Sequence, residues 1–148
     1  MATSDKLALV DANVLVYGFY DQAEHYPDCS RLLERAQDGD IALCVVPQVL
    51  TEFYAVITDG RRVTDPFEPG DALDAIDQVV AMPGMMLLPT PVDLVARWTS
   101  LARQHPVTRG AIFDLQLVAA MLGNEVRRIY TFDIGDFERF SELEVLSP

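Results

Sequence analysis

Four carboxylates of this 148-residue chain stand beside or within apolar segments, where acids are least expected. Asp11 closes the run KLALVD. Glu52 lies in Val49-Leu50-Thr51-Glu52-Phe53, about 100° around a helix from the centre of its apolar stripe, and so at the edge of the buried face. Asp114 is the only charge between Ile112 and Leu122 (IFDLQLVAAML), and Asp133 follows Ile129-Tyr130-Thr131 closely. Each has an ordinary structural reading when taken singly. Asp11 can cap a helix beginning near Val14, Glu52 can be a solvated helix edge, and Asp133 can start a turn before Gly135. Asp114 can be a first-turn acid favoured by the helix dipole, with Arg109 as its partner.

Together the four suggest chemistry. Asp11 and Asp133 fall at strand carboxyl ends, which a doubly wound sheet would bring together, and ligands of such sheets sit beyond those ends. Glu52 and Asp114 fall in the first turns of helices that can start at the same edge. Gathered carboxylates repel one another, which favours either protonation or a bound divalent cation. Oxygen donors without His or Cys suit Mg²⁺ or Mn²⁺ rather than zinc. Cations held this way can activate water and stabilise the leaving oxygen of a phosphodiester during in-line displacement.

The elements needed to position these acids are legible as periodicity. KLALVD and Ile41–Val46 are apolar runs of the kind that form strands covered on both faces. Cys29, Leu32, Leu33 and Ala36 recur at i, i+3, i+4 and i+7, which predicts a helix over Asp28–Gln37. Pro47 can open a second helix carrying Val49, Leu50, Phe53, Val56 and Ile57 on one stripe. Asp59–Gly70, with two glycines, two prolines and Arg61-Arg62, is expected as loop. A third helix over Asp71–Ala81 is expected to bury Leu73, Ile76, Val79 and Val80. Met85–Leu88 reads as a short strand, and Leu94, Val95, Trp98, Leu101 and Ala102 mark a helix ending near His105-Pro106. Ile112–Leu122 is apolar nearly all round and predicts a helix buried on most sides. Arg128–Thr131 reads as a strand, Asp136–Phe140 as a helical turn and Leu143–Leu146 as a last strand. Strands alternating with helices imply an α/β layered fold around a mainly parallel sheet. No repeat or linker divides the chain, so residues 1–148 are read as one domain.

Composition narrows the function classes. Half the residues are apolar, enough for a core without a disulfide framework. Cys29 and Cys44 are expected as buried thiols. Met1–Lys6 lacks the basic-then-apolar order of a leader peptide, and Ala81–Val92 is too short and too broken by prolines to span a bilayer, so the cytoplasm is the expected compartment. A net charge of −12 argues against general electrostatic capture of nucleic acid. Screening confines such fields to roughly 8–10 Å in physiological salt, so local arginines and bound cations can override them.

Four stretches resemble the motifs of PIN domains, in that family's order. Val10-Asp11-Ala12-Asn13 resembles the opening Asp-Ala-Asn motif, Val49–Phe53 the second acidic motif and Phe113-Asp114 the third. Thr131-Phe132-Asp133-Ile134-Gly135-Asp136-Phe137 resembles the closing T-x-D-x-x-D-F motif. The resemblance runs from Asp11 to Phe137. It implies a three-layer α/β/α sandwich with a central, mainly parallel sheet, and a Mg²⁺- or Mn²⁺-dependent endoribonuclease with Asp11, Glu52, Asp114 and Asp133 as metal-binding carboxylates. It further implies Asp136 as a supporting acid, Thr131 as a hydrogen-bonding neighbour and Asn13 as organiser of the first turn. At this size the chain is most similar to VapC toxins, which dimerise and are silenced by a VapB antitoxin. Met82, Met85, Met86 and Leu87 would serve such an interface or the core. Arg61, Arg62, Arg109, Arg127 and Arg128 would contact RNA phosphates or remain solvated.

Rival classes lack their essential residues. Receiver domains need a lysine late in the chain, and the only lysine is Lys6. Haloacid-dehalogenase-type phosphatases need a D-x-D pair where this chain has Asp11-Ala12-Asn13. Neither a P-loop nor a GxGxxG dinucleotide motif occurs. A PIN-like RNA-processing nuclease and a non-catalytic PIN-like scaffold remain as alternatives.

Overall fold

The computed structural model describes residues 6–148. Met1–Asp5, on which most of the leader-peptide reading rests, lie outside the described residues. The first apolar run forms β1 (Ala8–Val10), buried throughout, and α1 (Ala12–Gly18) follows almost at once. The i, i+3, i+4, i+7 set is the buried face of α2 (Tyr26–Gln37). After β2 (Leu43–Val45), Pro47 opens α3 (Pro47–Ile57), where its missing N–H removes nothing a first turn would use. Then come α4 (Pro69–Val80), β3 (Met85–Leu87), α5 (Leu94–Gln104), α6 (Ala111–Gly123), β4 (Arg128–Tyr130), α7 (Ile134–Phe137) and β5 (Glu144–Leu146).

The five strands form one sheet in the order β3-β2-β1-β4-β5, and every pairing is parallel. Parallel neighbours need crossovers, and right-handed crossovers put α1 to α4 on one face and α5 to α7 on the other. The packing agrees: α1 lies against α2 and α3, α3 against α4, α5 against α6, and α6 against α7. This is the three-layer α/β/α sandwich expected. The chain winds outward from β1 to β3, then returns to lay β4 on the other side of β1. The loops leaving β1 and β4 therefore diverge to opposite faces and open a crevice at the strand carboxyl ends.

Three local expectations are corrected. The buried face of α4 is Ala72, Ala75 and Val79, whereas Leu73 is 54% exposed. Small side chains let this helix approach its neighbours closely, so the inward stripe is turned from the one its larger residues suggest. The same helix starts at Pro69, so Gly70 is helical rather than loop. The last helix begins at Ile134, because Asp133 rather than a later residue occupies its entry position. Cys29 and Cys44 are free and buried, and burial pushes both thiols up to about 12. No helix among the described residues is long and apolar enough to cross a membrane.

Candidate active site

The crevice beyond β1 and β4 is built around one hydroxyl. Thr131, fully buried, leaves the end of β4. Its Oγ1 donates to Asp11 Oδ2 at 2.8 Å and accepts from the Asp133 N–H at 3.0 Å. Asp11 is also the N-cap of α1, its Oδ1 accepting from the Ala12 N–H at 2.8 Å. Capping and chemistry are thus compatible, since one carboxylate has lone pairs for both. Asn13 Nδ2 donates to Asp133 Oδ2 at 3.2 Å, and Asn13 Oδ1 is buried without a hydrogen-bond partner.

Glu52 and Asp114 arrive from opposite faces of the sheet. Pro47 fixes the start of α3 directly after β2, which puts Glu52 in the second turn of that helix rather than the first. Asp114 is the fourth residue of α6, whose direction is set by the need to deliver the chain back to the start of β4. Two glutamines fix the spacing of these helices: Gln116 Nε2 donates to Gln48 Oε1 at 3.0 Å, and Gln48 Nε2 donates to the Phe113 carbonyl at 2.9 Å. Asp11, Glu52, Asp114 and Asp133 all line one cavity of about 450 Å³.

The electrostatics reflect this gathering. Burial pushes the Asp11 carboxyl above its usual range, against the pull of its two hydrogen bonds, and the charges of Asp133 and Asp136 add to the rise. Glu52 is raised by desolvation and then by Asp11, with Arg62 pulling the other way. Asp114 is pushed up to about 6 by desolvation, then by Asp136, Asp11, Glu52 and Asp133. Asp136 does not line the cavity, yet its charge is felt by both Asp11 and Asp114. Among the described residues, no three His, Cys, Asp or Glu side chains close into a ready-made metal cage. The donor chemistry nevertheless fits a hard divalent cation: the acids are oxygen donors only, they oppose one another's ionisation, and the buried Asn13 Oδ1 is a further oxygen without a partner.

The arginines separate. Arg62 lines the cavity. Arg61 is held in an exposed ion pair, its Nε 3.1 Å from Asp59 Oδ1. Arg109 lies exposed in the turn before α6, with φ 55°, and forms no ion pair with Asp114, which is grouped with the other acids instead. Arg127 and Arg128 are at the amino end of β4, the far end of the sheet, where Arg128 Nε donates to Glu144 Oε2 at 3.0 Å. Sequence reasoning missed Tyr17, Tyr20, Asp21, Gln22, Thr64 and Asp65, which also line the cavity. Their only signal is a cluster of polar and aromatic residues in two segments far apart in the chain.

A family model describing the PIN domain matches residues 8–143. Ribonuclease VapC43 of Mycobacterium tuberculosis and a VapC ribonuclease of Mycobacterium bovis are each 33% identical to this chain over 139 residues, covering 94% of it and 93% of themselves. Among solved structures, the sarcin–ricin-loop-cleaving toxin VapC20 of Mycobacterium tuberculosis is similar with a TM-score of 0.69 at 17% identity, over 95% of this chain and 99% of that one. VapBC2 of Rickettsia felis, bound to a DNA fragment from its promoter, has a TM-score of 0.64 at 13% identity, over 96% of this chain and 98% of that one. At these identities the structural likeness speaks for the fold.

Proposed function

The chain belongs to the PIN-domain family, and on that premise we propose that it is a VapC-type endoribonuclease, the toxin of a toxin–antitoxin pair, dependent on Mg²⁺ or Mn²⁺. One observation carries the reading. Four acids from four separated segments, two at strand ends and two on helices of opposite layers, line a single cavity at the point where the sheet's winding reverses.

Asp11, Glu52, Asp114 and Asp133 would hold the cation. When bound, it supplies polarisation of the phosphodiester and of the attacking water. The chain's own groups do the rest. Thr131 and the Ala12 N–H fix both oxygens of Asp11, and Asn13 orients Asp133. Asp136 adds negative potential from just outside the cavity. Arg62, the one cation among the described lining residues, would meet a substrate phosphate. The related ribonucleases support RNA as substrate, the cytoplasm is the compartment proposed with it, and the VapBC complexes among the structural relatives support a VapB-like antitoxin as partner. A homodimer belongs to the same reading. Met86 and Leu87, exposed on the edge strand β3, are open to a second copy, whereas Met82 and Met85 pack in the core.

The test is incubation of purified protein with total bacterial RNA in Mg²⁺, in Mn²⁺ and in EDTA, beside Asp11→Asn. The expected outcome is discrete fragments that require the cation and fall by at least ~100-fold in the variant. Equal behaviour of wild type and variant, with no cleavage under either cation, would put a non-catalytic scaffold in its place.

A further inference from the structure

Asp11 caps the start of α1, whereas Tyr20 and Asp21 follow its end, so the cavity extends away from the acidic cluster along this helix. That outer part runs along Tyr17 and Tyr20 to Gln22, Thr64 and Asp65. We propose that this outer half is a guanine-selective subsite that seats the base of one nucleotide flanking the scissile phosphate. The proposal rests on the nuclease reading above and adds a substrate preference to it.

The outer wall is a built surface. Tyr20 Oη donates to the Asp65 carbonyl at 3.0 Å, which clasps the loop after α3 to the end of α1. Phe67 packs on Tyr20 and Phe19, with ring centroids 5.7 and 6.4 Å apart, and its N–H donates to the Ile57 carbonyl at 2.7 Å. The loop is therefore anchored at both the ring and the backbone.

Charge sets the direction in which a nucleotide would lie. On the nuclease reading the scissile phosphate belongs at the acidic end, and Arg62, the one cation among the described lining residues, would meet it. The outer rim instead carries Asp21 and Asp65, which would repel a phosphate. A neutral base fits there, with Tyr17 and Tyr20 as aromatic wall; single-stranded RNA is commonly read by such stacking and by base edges. The rim chemistry then selects the base. Carboxylates only accept hydrogen bonds. Guanine alone presents two adjacent donors, N1–H and the N2 amino group, on its pairing edge, with O6 beside them as acceptor. Gln22, whose Nε2 donates to Asp21 Oδ1 at 3.4 Å, supplies an amide donor next to that carboxylate.

Two measurements on the full-length protein test this. Calorimetric titration in Mg²⁺ compares guanosine 5′-monophosphate with uridine 5′-monophosphate, for wild type and for Asp21→Asn combined with Asp65→Asn; both side chains are exposed, so the fold tolerates the change. The guanine nucleotide is expected to bind about tenfold more tightly, as for a good bidentate base contact, and the double variant to lose that preference. In parallel, cleavage of a randomised RNA pool by the wild type should enrich guanine at one position flanking the cut, and the double variant should not. Equal affinities, a preference that survives in the variant, or enrichment of another base overturns the subsite. Cleavage without any nucleotide preference would remove the subsite and leave the nuclease standing. A guanine preference lost in the variant, with no cleavage of any RNA, would do the reverse.

Discussion

Thr131 Oγ1 ties the ends of β1 and β4 together, donating a hydrogen bond to Asp11 Oδ2 and accepting one from the Asp133 N–H. Thr131→Val keeps the shape and removes both bonds, leaving a buried carboxylate oxygen and an N–H unsatisfied. A loss of about 1–3 kcal/mol is expected, read by urea unfolding, and Thr131→Ser should restore most of it. The raised acids make a second prediction. The Asp114 carboxyl sits at about 6 when folded, above its ordinary 3.8. The folded state therefore holds that proton more tightly, so the group favours folding below pH 3.8 and withdraws this advantage as the pH climbs towards 6. Asp11 and Glu52 are shifted in the same direction. Without divalent cation, stability should fall as the pH rises through this window, and Asp114→Asn should flatten the fall. Added Mg²⁺ should raise the melting temperature little at pH 5 and clearly at pH 7.5, because binding must first displace those protons. Melting curves at both pH values decide it; a Mg²⁺ effect equal at the two would mean that the raised acids do not hold the cation.

Gly84 shows how an element's end is set by close approach rather than by propensity. It lies in the turn between α4 and β3, where its N–H donates to the Ala36 carbonyl at 2.7 Å and its carbonyl accepts from the Leu43 N–H at 2.8 Å. A Cβ there would collide with the carbonyl oxygens of Ile41 and Ala36, both backbone atoms that cannot swing aside. Gly84→Ala should cost about 1–3 kcal/mol in urea unfolding, and a neutral result would show that the α2 end can shift. Such contacts explain what the sequence discloses and what it hides. The β1 and α2 patterns are readable because a fully covered strand and an amphipathic helix repeat their burial locally. The four acids are readable because each interrupts or ends an apolar run. The inward face of α4 is not, since Ala72 and Ala75 are chosen by the neighbours they touch, and nothing local ranks them above Leu73. The Gln48–Gln116 clamp and the Tyr20–Asp65 clasp join residues 68 and 45 positions apart. Only the winding of the sheet makes them neighbours. Arg109 looks like a partner for Asp114 in sequence, but the turn preceding α6 leaves it exposed and apart.

At the scale of the whole molecule, a net charge of −12 sets the terms on which RNA can approach. A basic binding surface releases counterions, and its affinity falls steeply with salt. Here the long-range field is repulsive, and on the proposed reading the attraction would come from Arg62 and from cations held inside the cavity, within about a Debye length of roughly 10 Å at 0.1 M salt. Monovalent salt then screens the repulsion more than the attraction. With Mg²⁺ held saturating, kcat/KM for a short RNA should stay flat or rise as KCl goes from about 20 to about 150 mM, while Arg62→Gln should lower it at every salt concentration. A steep decline with salt would instead reveal an extended basic track. The exposed Arg109 near the start of α6 and Arg127 at the far end of the sheet would be the places to look for it, with a second copy of the chain bringing separated arginines together. The sign of one salt titration thus separates a cleft that draws in its substrate locally from a surface that gathers it over distance.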